Sequence, residues 1–326
     1  MIRFLLVAAL AVAQEKPEPV RIIFDADMDS DCDDVGALGM LHALADLGEA
    51  RILATMSSSQ NPDTPLCMDA INTWYGRPDL PIGVPKGKGV GRKSKYAGEI
   101  AKRFPQDLGS AEKAADAARL YRDLLLKEPD RSVVIVTVGY HTNLSDLLRL
   151  PEGPEVVKRK VKVWACMGGN FVGKPAKDDL KLGNVNFTTE SAGAHHAIWN
   201  WTAPILFVGR EIGSVPSGLK AGARLKDLPE DNPVRLAYQL YFGGIPKDRH
   251  VADQTAVLYA VRGLGERWIA ETRGYMDLQK DMTFEWKYDK DPGQGYLLKR
   301  TVDGMPNDRA IEREIEDLMM RPPRRR

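Results

Sequence analysis

Six aspartates, Asp25, Asp27, Asp29, Asp31, Asp33 and Asp34, crowd into the stretch VRIIFDADMDSDCDDVGAL that runs from Val20 to Leu38. Carboxylates this close repel one another unless a counter-charge is present, and a hard divalent cation with oxygen ligands is the natural one. A more local use is also open to them. At the start of a helix the later aspartates can cap it and favour the positive end of its dipole.

Two elements must position this turn. Val20, Ile22, Ile23 and Phe24 read as a strand buried on both faces of a parallel sheet, and Val35, Leu38, Leu41, His42 and Leu44 fall near one face of a helix. The aspartates therefore sit at the carboxyl end of a strand, where open α/β sheets bind their ligands. EF-hand spacing does not fit. Counting from Asp25, Ser30 stands where that loop needs glycine and Gly36 where it needs its closing glutamate. A haloacid-dehalogenase-type phosphatase also opens with a strand and a DxD pair, but places Thr or Val where this chain has Asp29.

The order of apolar strand, Asp25-x-Asp27, short turn, Asp33-Asp34 and the helix entry Val35–Leu38 resembles the N-terminal signature of the calcium-dependent nucleoside hydrolases of the inosine–uridine-preferring type. Further landmarks follow in that family's order. A β-branched run from Ser132 to Val138 leads into Gly139-Tyr140-His141-Thr142-Asn143, and the strand Lys162–Cys166 leads into Met167-Gly168-Gly169. Asn184-Val185-Asn186 comes next, and Asp253 opens an apolar helix that runs to Val261.

The resemblance implies Ca2+ held by Asp27, Asp34, Asp253 and the main-chain oxygen of Val138. It makes Asp27 the base that takes a proton from water, and gives the sugar 2′-hydroxyl to Asp33 and the 3′-hydroxyl to Asp253. Met167 would line the ribose pocket, with Asn184 and Asn186 at the 5′-hydroxyl. Two positions depart from the pattern: Asn184 replaces a glutamate, and Ala252 stands where some relatives carry a histidine that protonates the leaving base. In the loop after a second strand, Ile52–Met56, Asn61 or Ser59 is placed to reach the sugar; an ordinary solvated loop is the alternative.

Other segments read more simply. The run Lys86–Lys95 is expected to be a mobile surface loop without a full phosphate-binding pattern. Ala111–Leu126 and Asn232–Phe242 read as helices, the second with Tyr238 and Tyr241 available to stack on a base. His195 and His196, adjacent on a helix, point in different directions and read as structural. Met282–Tyr288 and Tyr296–Val302 read as a hairpin, followed by a charged helix from Asn307 to Met320.

The chain has 326 residues, 43% of them apolar and 28% charged, with a net charge of +1, which is enough to bury a sizeable core and gives no electrostatic reason for a nucleic-acid or membrane partner. Cys32, Cys67 and Cys166 have no zinc or disulfide-framework spacing and read as small buried hydrophobes. Residues 1–13, with Arg3 before an apolar run and a small-x-small end, read as a signal peptide. Residues 14–19 are then a leader, 20–320 one domain and 321–326 a basic disordered tail, in a secreted or periplasmic protein.

The expected fold is a single α/β domain, nucleoside hydrolase-like, with an open, mostly parallel sheet, helices on both faces, and the hairpin and last helix appended. The expected activity is hydrolysis of the N-glycosidic bond of a ribonucleoside or related riboside, with self-association left open. A secreted protein that binds nucleoside or sugar with calcium but does not turn it over is the alternative from another class, and the phosphatase is a third.

Overall fold

The computed structural model describes residues 17–29, 31–171, 185–214, 218–302 and 305–324. The proposed signal peptide and Asn184 lie outside the described residues. Its centre is a nine-stranded sheet of β1 (Val20–Ala26), β2 (Ala50–Ser57), β3 (Ile82–Val84), β4 (Ala115–Asp116), β5 (Val133–Thr137), β6 (Val161–Met167) and β7 (Ile205–Val208). Beyond the short pair β8 (Lys220–Ala221) and β9 (Arg249–His250), the sheet continues with β10 (Trp268–Glu271) and, after the pair β11 (Tyr275–Leu278) and β12 (Phe284–Lys287), with β13 (Gln294–Lys299). The order across it is β10-β13-β7-β6-β5-β1-β2-β3-β4, parallel except where β10 pairs with β13.

The alternation of β1 explains its unbroken apolar run. Ile22 and Phe24 enter the core on one face and Ile23 the core on the other, so both faces demand apolar side chains. The first core is covered by α1 (Asp33–Asp46), α2 (Asp63–Trp74) and α3 (Ala97–Arg103), and the second by α4 (Ala117–Lys127), α5 (Thr142–Arg149) and α6 (Gly153–Lys160). Next come the single turn α7 (Val185–Thr188), α8 (Ser191–Asn200) on the second core, the short α9 (Arg210–Gly213), α10 (Pro233–Phe242), α11 (Ala252–Arg262) and α12 (Asp308–Met319). Among the described residues no helix is long and apolar enough to cross a membrane.

From β1 the chain runs outward through β2 and β3 to one side, whereas β5, β6 and β7 build the other. The switch point therefore falls between β1 and β5, and a crevice opens at their carboxyl ends. Helix α11 packs across α1 and brings the start of a late helix to the aspartate turn. A side chain at Gly36 would collide with Gln254, Met319 and Tyr238, so glycine there sets how closely these helices approach.

Three local expectations change. The helix expected over 111–126 begins only at Ala117. Asp116 caps it by accepting a hydrogen bond from the Arg119 amide (3.2 Å), while Ala115–Asp116 joins the sheet edge as β4. The expected hairpin re-partners: β12 folds back on β11 through a tight turn in which Met282 takes φ +67°, and β13, whose Tyr296 and Leu297 are buried, enters the main sheet beside β7. The loop 86–95 is pinned. It accepts hydrogen bonds at Gly87 O from Gln60 and at Arg92 O from Asn61, donates through the Arg92 amide to Asp29, and through Ser94 Oγ to Met28 O.

Candidate metal and ligand site

At the carboxyl end of β1 the aspartates part company. Asp25 stays beneath the sheet end, where Tyr121 and Asn143 donate to it; burial nevertheless raises its carboxyl to about 7. Met28, at φ +56°, reverses the chain, a conformation that costs a non-glycine residue of order 1 kcal/mol. Asp29 is then clamped by Ser59 Oγ (2.6 Å), the Arg92 amide (2.8 Å) and Tyr140 Oη (2.9 Å).

Asp31, Asp33, Asp34 and Asp253 instead converge, with one ligand oxygen from each lying within 4.8 Å of the others. Asp33 and Asp34 sit in the first turn of α1, and Asp253 in the first turn of α11, so two helix N-termini face the same spot and favour negative charge there. Asp31 is paired with Arg249 (2.7 Å). Burial holds the carboxyls of Asp34 and Asp253 well above the ordinary carboxylate range, and the charges of Asp27 and Asp31 push them further. Asp27 is raised in the same way, by burial and then by Asp29. Its Oδ1 accepts from the Asp29 amide (3.0 Å).

The four converging carboxylates line a cavity of about 410 Å³ whose wall also includes Val138, Met167, Asn186, Tyr241, Ala252 and Arg92. Gly139 explains how Val138 gets there. A side chain at Gly139 would strike the Asp27 amide and Ser58 Oγ, so only glycine lets the turn after β5 come against the turn after β1. Asn186 then donates from Nδ2 to Val138 O (2.8 Å) and rests on Met167 Sδ (3.3 Å). His141 supports it from behind: it is fully buried between Trp164 and Phe187, with ring nitrogens against Asn186 O and Cys166 Sγ, and burial lowers it to about 4.

A divalent cation fits this chemistry. The donors are all hard oxygens, Arg249 is the one cation paired with them among the described residues, with the Met28 amide donating to Asp34 Oδ1 (3.3 Å), and the buried Oδ1 of Asp33 has no hydrogen-bond partner among the described residues.

Of the residues expected from sequence, Asp33, Asp34, Asp253, Val138, Met167 and Asn186 line one cavity. Asp27 does not line it but acts electrostatically on Asp34 and Asp253. Asn61 lies outside the cavity, with Nδ2 on Arg92 O (2.9 Å) and Oδ1 accepting from the Asp63 amide (3.0 Å). Tyr238 is buried against Gln254 and Met319, which leaves Tyr241 as the aromatic residue of α10 at the wall. His195 packs on Trp199 and His196 meets Ser145, both away from the cavity. The place of Asp31 in the cluster was missed, although its alternate spacing with Asp27 and Asp29 signalled it. Arg92, Arg210 and Arg249 at the wall had no local signal.

By sequence the chain matches no family model and no curated protein. By structure it has the fold of the nucleoside hydrolases. It resembles a plant nucleoside hydrolase, PpNRh1, with TM-score 0.65 and 16% identity over 93% of this chain and 100% of the other. A purine-preferring ribonucleoside hydrolase from Gardnerella vaginalis superposes with TM-score 0.66 and 14% identity, covering 92% and 98%. The type III effector XopQ, solved with adenosine diphosphate ribose, shares the fold at TM-score 0.64 and 14% identity, covering 94% of each chain.

Proposed function

We propose that this protein hydrolyses the N-glycosidic bond of ribosides with the help of calcium. The observation that carries the reading is the convergence of Asp31, Asp33, Asp34 and Asp253 at the switch point of a sheet with the nucleoside hydrolase fold. Asp34, Asp253 and the Val138 carbonyl would hold the ion, with Asp27 and Asp31 adding charge. Calcium, when bound, polarises water and the lower-face hydroxyls of the sugar.

The transition state for losing a base is oxocarbenium-like, so negative charge close to the ring is worth more there than in the ground state. Asp27 is the proposed acceptor of the water proton, since burial and neighbouring carboxylates make its carboxylate more basic than usual. Asp33, whose Oδ1 has no partner among the described residues, accepts the 2′-hydroxyl. Asn186 and Met167 hold the sugar against the Val138 turn. Nothing in the arrangement calls for a covalent intermediate. We place the protein outside the cytoplasm on the strength of its N-terminal apolar segment.

Protonation of the leaving base is the weak step, because Ala252 lines the wall where an acid would be useful. That residue also favours the second reading, a calcium-dependent nucleoside binder without turnover. Release of reducing sugar from a nucleoside panel, with and without chelator, tests both. Turnover is expected to stop on chelation and return with calcium, and a nitrophenyl riboside is expected to exceed inosine by about a hundredfold or more, the usual contribution of a positioned acid. Tight binding of ribose with no product from any substrate would leave only the binder.

A further inference from the structure

The cavity that collects carboxylates also collects cations. Arg210, on the turn after β7, lines it together with Arg249 and His250 of β9. Arg249 Nε and His250 Nδ1 are buried with no hydrogen-bond partner among the described residues, and Arg210 forms no ion pair among them, although the carboxylate of Glu211 next to it feels its charge. The three are close enough to feel one another: besides its burial, the charges of Arg249, Lys220 and Arg210 hold His250 below the ordinary histidine range. Asp31, paired with Arg249 at 2.7 Å, offsets part of this repulsion, and a neutral nucleoside adds no further negative charge.

Position agrees with chemistry. In the sheet order β7-β6-β5-β1, the Arg210 turn stands three strands from the aspartate turn, roughly 14 Å at normal strand spacing. A ligand seated with its sugar over the carboxylates would carry its far end toward Arg210. A phosphate ester provides charge and several acceptor oxygens, and guanidinium groups bind it through paired hydrogen bonds.

We propose that the substrate is a riboside bearing a phosphate on its sugar, with the phosphate received by Arg210, His250 and Arg249. This rests on the riboside reading of the same cavity, but can fail separately from it. Calorimetric titration of the full chain, loaded with calcium, compares ribose 5-phosphate with ribose. The phosphate is expected to improve affinity roughly tenfold or more, as charge-assisted bonds to guanidinium groups do. Arg210→Gln is expected to remove most of that advantage and Arg210→Lys to keep part of it.

Equal affinity for the two sugars, no measurable binding of ribose 5-phosphate, or an advantage unchanged in Arg210→Gln would overturn the proposal. Turnover of adenosine and its 5′-monophosphate separates the two claims. If neither is cleaved while the Arg210-dependent affinity persists, the hydrolase reading falls and the phosphate site stands. Cleavage of adenosine with no advantage for the monophosphate, together with equal sugar affinities, leaves the hydrolase and removes the phosphate site.

Discussion

Asp25 and Asp29 belong to the same short stretch as Asp33 and Asp34 and are just as deeply buried, yet their surroundings differ in kind. Beneath the sheet end and beside the 86–95 loop, donors have been brought to the carboxylates. Asp25 has Tyr121 and Asn143; Asp29 has Ser59, Tyr140 and the Arg92 amide. Toward the cavity, carboxylates have been brought to one another, with Arg249 as the one cation paired to them among the described residues. The first arrangement stabilises the fold, and the second stores repulsion that a cation can relieve. One run of identical residues thus does two jobs, divided by the reversal at Met28.

The largest expected effect comes from neutralising the cavity side. Asp253→Asn keeps the shape of the side chain but removes a ligand charge. Activity is expected to drop by about a thousandfold or more, and calcium affinity to fall with it. Without calcium the same variant should be more stable than the wild type, by about 1 kcal/mol, because a buried like charge has gone. Thermal unfolding with and without chelator reads both signs. If Asp253→Asn destabilises the calcium-free protein, the cluster is not held together against its own repulsion and the contrast drawn above is wrong.

The clamped side should respond in the opposite direction. Asp29→Ala leaves the hydroxyls of Ser59 and Tyr140 and the Arg92 amide without their acceptor, at a cost of about 3 kcal/mol whether or not calcium is present. Asp25→Asn also replaces an acceptor with a group that must face two donors, and should be destabilising to a smaller extent. Urea unfolding of the two variants in calcium and in chelator gives the comparison. A loss for Asp29→Ala that vanishes on chelation would mean that Asp29 serves the ion rather than the loop.

How much of this was legible in the sequence follows from the range of each interaction. The strand, turn and helix around the aspartates are local, and the β-branched runs before Gly139 and Met167 announce buried parallel strands, so the sheet and most of the cavity wall could be read in order. Asp253 was legible only through family resemblance, since its approach to Asp34 depends on α11 crossing α1. Pairing of Arg249 with Asp31 spans 218 residues, and no spacing rule reaches that far. The division of labour among the aspartates was equally hidden, because it depends on partners such as Tyr121 and Tyr140 that are remote in sequence. Asn61 failed to reach the cavity for a local reason, its amide and carbonyl being used up on the 86–95 loop and the start of α2.

The smallest expected effect per unit change, and the most diagnostic, is the pH dependence of stability. Asp25 is raised to about 7, and Asp27, Asp34 and Asp253 stand well above the usual carboxylate value. In the calcium-free protein Asp25 takes up its proton near pH 7 and the other three hold theirs above the ordinary carboxylate range, whereas the unfolded chain does not bind these protons until about pH 4. The folded state binds more protons, so its stability should rise with acidification, by roughly 1.4 kcal/mol per pH unit for each group that titrates. His42 opposes this. Burial, with Arg77 beside it, lowers it to about 3, so it withholds a proton that the unfolded chain accepts below about 6.5, and acid costs stability there. His141, lowered by burial to about 4, acts in the same sense, but the four raised carboxyls outweigh these two buried imidazoles, and the net slope without calcium should favour acid between about pH 7 and 5. Saturating calcium holds its ligands deprotonated, so acid must displace the ion, and the slope should reverse. Urea unfolding at pH 7, 6 and 5, with chelator and with calcium, measures both slopes, and Asp253→Asn should flatten the calcium-free one. Identical slopes in the two states would show that the buried carboxylates facing the cavity do not bind the ion.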